Sequence, residues 1–148
     1  MDFQLSEEQR HLQQRCQQLA KDFATRSAAH DREASHPIEN YQRLREEGFL
    51  AFNVPKERGG PGISFVTHTV AFEALAQGCP ATALAFNMHA SMVGPLLETH
   101  EVSDDAKDHL THLVLKQQAM IAGNFSEASS TALLGARPLG ARATKVDG

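Results

Sequence analysis

Apolar and polar positions near the start of the chain alternate with the period of an α-helix. Ser6 opens this helix, and Gln9 three residues later completes a capping box. Behind the cap, apolar residues recur at intervals of three and four, at Leu12, Cys16, Leu19, Ala20 and Phe23. This spacing predicts one buried stripe along a helix of about five or six turns. The stripe fades in residues 27–37, which we predict to be a polar link.

Four further helices are predicted between residues 38 and 117. The second covers residues 38–47 and ends at Gly48, which is placed as its C′ residue. Ser64 opens the third, which is apolar on more than one face and is therefore expected to be central. Pro80 suits the first turn of the fourth, over residues 81–93, and Gly94-Pro95 is expected to kink or break it.

The fifth helix begins at Ser103-Asp104-Asp105, where a hydroxyl cap precedes two acids at the positive end of the helix dipole. Between the second and third helices, residues 55–62 read PKERGGPG, which predicts a loop because Gly and Pro interrupt helices.

The end of the chain has a different pattern. Residues 119–125 are short, apolar and without helical spacing, which predicts a strand. Residues 141–146 look extended and run into Asp147-Gly148, a hairpin-turn dipeptide. The predicted fold is mainly α: an antiparallel helical bundle of about five or six helices over residues 1–117. A short β segment over residues 118–148 is expected to begin an incomplete β-domain.

Composition narrows the class of protein. The chain has 148 residues, 41% of them apolar and 22% charged, which is typical of one soluble globular domain. A formal charge of -4 argues against a general nucleic-acid binder. The acidic N-terminus is unlike a secretory signal or a transit peptide. The longest apolar runs, such as 83–86, have four residues and are far short of the roughly 20 that span a bilayer. We therefore expect a cytoplasmic protein, with Cys16 and Cys79 as buried thiols.

Four segments carry a resemblance to a known family. FQLSEEQ at residues 3–9, VPKERGGPG at residues 54–62, PLLETH at residues 95–100 and FSE at residues 125–127 occur in the order of similar motifs in the acyl-CoA dehydrogenases. The tail ATKVDG at residues 143–148 resembles the first strand of the middle domain of that family. The chain is thus similar to the N-terminal part of these flavoenzymes.

The resemblance implies an oxidoreductase that acts on the CH–CH bond of acyl-CoA thioesters in fatty acid metabolism. Family members have a helical N-terminal domain, a β-barrel-like middle domain and a helical C-terminal domain. FAD lies between the last two, usually with help from another subunit of a homo-oligomer. The catalytic Glu belongs to the C-terminal domain, so we assign no catalytic residue here. We expect the chain to be inactive and free of flavin when alone.

The resemblance also implies residues that face the flavin. Phe125, Ser126 and Thr131 match family positions that contact FAD, Ser126 standing at a threonine that donates to the flavin ring. Two departures weaken this match: Ala128 replaces a proline, and Thr131 stands where a glycine approaches the flavin closely. The alternative is a Ser-rich strand end that binds nothing.

The fourth helix is implied to line the acyl end of the substrate pocket. The matching positions are Ala83, Leu84, Asn87, Met88 and Ser91, whose spacing places them on one helical face. The small side chains of Ala83 and Ser91 would make this pocket wide. The amide of Asn87 could form a hydrogen bond with a polar acyl group. The alternative is that these residues only pack against other helices.

Three histidines carry weaker hypotheses. His89 is expected to be structural rather than catalytic. His109 and His112 have a spacing that two metal ligands use, but without a third ligand nearby they are expected to form a solvated face. No metal site is predicted.

Two other functions remain open from the sequence. Flavin-dependent monooxygenases and oxidases share this architecture, and the altered segment at residues 126–131 is where they would diverge. The chain could also be a non-catalytic helical interaction module, whose exposed apolar surface associates with other proteins.

Overall fold

Five α-helices make up most of the computed structural model, which describes residues 4–123 and residue 144. They are α1 (Glu7–Glu33), α2 (Ile38–Glu46), α3 (Phe65–Ala76), α4 (Pro80–Glu98) and α5 (Asp104–Leu115). Single 3₁₀ turns lie at Phe49–Ala51 and Lys56–Arg58. The predicted mainly α class with about five helices is confirmed.

Serine hydroxyls start three of these helices. The Ser6 hydroxyl accepts from the Gln9 N–H at 3.1 Å, and the Gln9 side chain accepts from the Ser6 N–H at 3.0 Å. Ser64 and Ser103 cap α3 and α5 in the same way, each accepting from the N–H three residues later. The predicted starts of α1, α3 and α5 are therefore confirmed, and each cap is worth about 1 kcal/mol.

Helix α1 is longer than predicted. It continues to Glu33 and spans 27 residues, so most of the expected polar link is helical. Loss of an apolar stripe does not end a helix whose residues are good helix formers, such as Ala28 and Ala29. Arg26 also bonds Asp22 across one turn, at 2.6 Å.

Helix α4 does not break at Pro95. It runs from Pro80 to Glu98, with Pro80 in its first turn as predicted. A proline inside a helix removes the N–H that would bond the carbonyl four residues earlier. Here that residue is Ser91, an exposed residue in the last two turns of α4. The helix therefore tolerates Pro95 near its end.

The predicted strand at residues 119–125 is wrong for the part that the structure describes. Residues 119–123 form no strand. The Ala119 N–H donates to the Leu113 carbonyl at 3.0 Å, and the Ile121 N–H donates to Nδ1 of His89 at 2.9 Å. These donors bond the end of α5 and a side chain of α4, so they are not available for a strand partner. Residues 124–143 and 145–148 of the predicted β segment lie outside the described residues.

Two groups of buried side chains form the core. The larger is aromatic at its centre and joins α1, α2, α3 and α4 through Phe23, Leu44, Phe49, Phe72, Leu75 and Phe86. The smaller joins α4 to α5 and contains Val54, Val93, Leu97 and Val114. Close contact between α1 and the end of α3 depends on Gly78, because a Cβ there would collide with the backbone of Ala20.

A buried polar contact joins three helices. Asn40 of α2 is fully buried; its amide donates to the Thr82 hydroxyl at 2.8 Å and accepts from Nε of Arg26 at 2.6 Å. Both ends of this amide are satisfied, as a buried polar group requires.

Both cysteines are free and buried, as predicted. Burial raises the pKa of the Cys16 thiol to about 12, so it stays protonated at neutral pH.

The Gly-rich loop is tied to α5 by charge. Arg58 contacts the carboxylates of Asp108 at 2.6 Å and Asp104 at 3.4 Å. None of the helices within residues 4–123 combines the length and the hydropathy that a bilayer crossing requires.

Candidate functional site

An apolar cleft of about 750 Å³ lies between α3 and α4. Helix α3 contributes one wall and α4 the other, and Asn53 closes one side. The lining side chains are Asn53, Phe65, His68, Thr69, Phe72, Glu73, Ala76, Pro80, Ala83, Leu84, Asn87, Ala90, Ser91 and Pro95. A mostly apolar concave surface with a few polar groups is the usual form of a small-molecule site.

Four of the five residues that we predicted for the acyl pocket line this cleft. They are Ala83, Leu84, Asn87 and Ser91, which share the face of α4 that is turned toward α3. Met88 does not line it and is 45% exposed. Their role in substrate binding remains a prediction.

Sequence reasoning missed the wall that α3 contributes. Phe65, Thr69, Phe72 and Ala76 recur at helical spacing and lie on one face of α3 with His68. That spacing was a usable signal. We interpreted the many apolar residues of α3 as a central helix, whereas Phe65 is 83% exposed at the rim of the cleft.

A row of hydrogen bonds crosses the cleft from Asn53 through His68 to Asn87. The Asn53 amide donates to Nδ1 of His68 at 3.3 Å. Nε2–H of His68 donates to Oδ1 of Asn87 at 3.1 Å. These partners define a neutral imidazole with its proton on Nε2, since Nδ1 acts as an acceptor. The row fixes the orientation of the Asn87 amide.

Aromatic stacking holds His68 in place. Its ring lies parallel to Phe72, with centroids 4.1 Å apart, and to Phe65 at 6.3 Å. Phe72 stacks in turn on the buried Phe86 at 4.8 Å. Because Phe86 belongs to the core, this stack ties the polar row of the cleft to the rigid part of the fold.

His89 lies behind the cleft and has a structural environment, as predicted. It is 1% exposed; Nε2–H donates to the Leu50 carbonyl at 2.9 Å and Nδ1 accepts from the Ile121 N–H at 2.9 Å. Burial lowers the pKa of this imidazole, and the hydrogen bond to Leu50 opposes the shift. Both ring nitrogens are used, so none is available to a ligand.

The remaining predicted residues divide into two groups. His109 and His112 are exposed on α5, and within residues 4–123 and 144 no group of three or more His, Cys, Asp or Glu is arranged to hold a metal ion. Phe125, Ser126 and Thr131, which the resemblance assigns to FAD, lie outside the described residues. Their contact with FAD therefore stays a prediction.

Comparison with known proteins decides the family. The family model described as "Acyl-CoA dehydrogenase, N-terminal domain" matches residues 6–114, which include all five helices up to the last turn of α5. The chain belongs to the acyl-CoA dehydrogenase family. The family resemblance inferred from the sequence is thereby confirmed.

Relatives within the acyl-CoA dehydrogenases agree with this. The protein named "Putative acyl-CoA dehydrogenase YdbM" of Bacillus subtilis is 31% identical over 97% of this chain and 37% of its own length. "Short-chain specific acyl-CoA dehydrogenase, mitochondrial" of Bos taurus is 30% identical over 64% of the chain and 24% of its own length. "Acyl-CoA dehydrogenase, short-chain specific" of Clostridium acetobutylicum is 27% identical over 76% of the chain and 30% of its own length. The chain thus spans between about a quarter and two fifths of these relatives.

Proposed function

We propose that this chain is the N-terminal helical part of an FAD-dependent oxidoreductase that acts on the CH–CH bond of acyl-CoA thioesters. The family match supports the reaction class. The cleft between α3 and α4 supports the assignment of substrate binding to particular residues. One wall of this cleft is formed by Ala83, Leu84, Asn87 and Ser91.

In this proposal the cleft receives the acyl end of the thioester. Its apolar lining favours a hydrocarbon chain, because moving apolar surface out of water is worth about 25 cal/mol per Å². Ala83 and Ser91 keep the α4 wall open, since neither side chain extends far. The cleft would hold the substrate in one orientation and exclude water from it.

FAD enters the proposal through the family. When bound, a flavin supplies hydride transfer, and we propose that Phe125, Ser126 and Thr131 contribute to its site. The residues that we describe contribute indirectly: His89 binds the backbone at Ile121, four residues before Phe125. We propose no catalytic residue within the chain. Homo-oligomerisation remains a proposal by family analogy, and a cytoplasmic location remains a proposal from the sequence.

Two measurements test this function. The full reading frame that contains the chain, expressed with FAD, should reduce an artificial dye electron acceptor when an acyl-CoA is added. Rapid oxygen consumption with reduced flavin and no dye reduction would instead favour a monooxygenase or oxidase.

The isolated chain of 148 residues gives the second measurement. It should show no flavin absorbance after purification and no spectral shift when FAD is added. A stoichiometric flavin spectrum would contradict this part of the proposal, whereas association with other proteins without acyl-CoA binding would favour an interaction module.

A further inference from the structure

The Asn87 side chain carries an unused hydrogen-bond donor in the cleft. Its Oδ1 accepts from His68, which leaves the Nδ2 amide group facing other partners. Within residues 4–123 and 144, no protein acceptor bonds this Nδ2. Asn87 is half-buried and lines the apolar cleft, so a ligand that fills the cleft would remove water from this donor. A donor that loses water without gaining an acceptor costs about 1–3 kcal/mol.

The hydroxyl groups of the lining are already engaged. The Thr69 hydroxyl donates to the Phe65 carbonyl and the Ser91 hydroxyl donates to the Met88 carbonyl, each at 2.9 Å. Both bonds lie within a helix turn and leave the hydroxyl protons unavailable. Of the polar side chains on the two helical walls, Asn87 is therefore the one that offers a free N–H to a ligand.

The charge of the side chains that line the cleft determines which hydrogen-bond acceptor on a ligand is favoured. The described residues around the cleft include Glu73 but no Lys or Arg. A carboxylate on the ligand would lose water, meet no cation and lie near a like charge, which is unfavourable. Moving a hydroxyl or ketone oxygen from water into the cleft costs much less free energy than moving a carboxylate. Such an oxygen also accepts one hydrogen bond from an amide.

We propose that this cleft selects acyl groups that carry a neutral oxygen on the acyl chain, and that Asn87 Nδ2 donates to that oxygen. His68 is a positioning residue: its Nε2–H holds Asn87 Oδ1, and the Asn53 amide and the Phe72 ring hold His68. This inference rests on the proposed function, because it names the class of acyl thioester that the same site takes.

Binding of three thioesters to the chain tests the inference. Butanoyl-CoA, 3-hydroxybutanoyl-CoA and succinyl-CoA have similar length and differ in carrying no further oxygen, a neutral hydroxyl or a carboxylate. One added hydrogen bond predicts that the hydroxy thioester binds about threefold to tenfold more tightly than butanoyl-CoA. Succinyl-CoA should bind more weakly than butanoyl-CoA. The side-chain amide resonance of Asn87 should shift with the hydroxy thioester and not with butanoyl-CoA.

Variants test whether the side chains of Asn87 and His68 cause the preference for 3-hydroxybutanoyl-CoA over butanoyl-CoA. Asn87→Leu and His68→Phe should both abolish this preference. His68→Phe keeps the aromatic stack but removes the N–H that orients the Asn87 amide. His68→Gln retains an N–H donor and should restore part of the preference. Thr25→Val is the matched control, since it removes an exposed hydroxyl that is bonded to the Asp22 carbonyl on α1, outside the cleft. It should keep the full preference.

The possible failures are distinguishable. Equal affinity for butanoyl-CoA and 3-hydroxybutanoyl-CoA in the unaltered chain would overturn this inference and leave the acyl cleft intact. A preference that survives in both Asn87→Leu and His68→Phe would also overturn it. Binding of none of the three thioesters would overturn the proposed function of the cleft together with this inference.

Discussion

The backbone N–H of Ile121 donates a 2.9 Å hydrogen bond to Nδ1 of His89, across 32 positions of sequence. The other ring nitrogen donates to the Leu50 carbonyl, so one buried imidazole joins α4, the 3₁₀ turn at Phe49–Ala51 and the segment after α5. This requires the neutral form, because a protonated imidazole has no acceptor for the Ile121 N–H. The segment that leads to the proposed flavin residues is therefore held by a titratable group.

Acid should weaken the fold through His89. Burial lowers the pKa of His89 below its ordinary value of 6.5. The unfolded chain therefore takes up this proton at a higher pH than the folded chain does. The stability that depends on neutral His89 is fully present above pH 6.5 and is lost as the pH falls through the folded pKa. The loss is at most about 1.4 kcal/mol per pH unit.

Urea denaturation at about pH 7.5 and about pH 5.5 measures this effect. His89→Gln is the control, because its amide has a donor and an acceptor but does not titrate. The unaltered chain should lose more free energy of unfolding between the two values than the variant does. Equal losses would show that His89 is not the group responsible.

Gly78→Ala should be strongly destabilising. An added Cβ would collide with the backbone of Ala20, and neither main chain can move without separating α1 from the end of α3. We expect a loss of about 2–3 kcal/mol in the free energy of unfolding. Gly94→Ala is the matched control, since its Cβ would meet Asn53 at an ordinary 3.5 Å. It should change stability by less than about 1 kcal/mol. Similar effects of the two substitutions would contradict the close approach at Gly78.

Asn40→Leu should destabilise the junction of α1, α2 and α4. The substitution leaves the buried Thr82 hydroxyl without the amide that now bonds it, and Nε of Arg26 without its acceptor. The expected cost is about 1–3 kcal/mol, measured by chemical denaturation. Glu46→Gln removes an exposed ion pair with Arg43 and should cost less than about 1 kcal/mol. The interpretation fails if Asn40→Leu is as mild as this control.

Ser91→Phe should obstruct the cleft without disturbing the core. Ser91 is exposed and lines the cleft, so a phenyl group there would occupy the space proposed for the acyl chain. We expect the affinity for butanoyl-CoA to fall about tenfold or more, which corresponds to about 1.4 kcal/mol. Ala81→Phe adds the same ring at an exposed position of α4 outside the cleft and should leave the affinity unchanged. Equal affinities of the two variants would place the acyl group elsewhere.

The features that the sequence predicted best are local. Ser6, Ser64 and Ser103 each bond a group three residues away, so the capping residue and its partner are visible in one short stretch. The end of α1 was missed for the opposite reason, since the helix continues where its buried stripe stops. We overestimated the effect of Pro95 on the helix. The free-energy cost of a proline inside a helix depends on whether the carbonyl that loses its hydrogen bond, here that of Ser91, reaches solvent.

Only the α4 wall of the candidate site was predicted from the sequence. The family resemblance implied five positions on α4, and four of them line the cleft. His68 meets Asn53 and Asn87 across 15 and 19 positions, and these contacts form only when the helices pack. The same holds for His89 and Ile121, whose hydrogen bond replaced the strand that an apolar run had indicated.

Mapping of butanoyl-CoA onto the chain by amide and methyl chemical shifts tests the central claim most directly. With the acyl thioester, we expect shifts at Ala83, Leu84 and Asn87 on α4 and at Phe72 on α3. Free CoA at the same concentration should leave these four residues unshifted. Shifts that butanoyl-CoA and CoA produce alike, or that lie away from the cleft, would contradict an acyl site between α3 and α4.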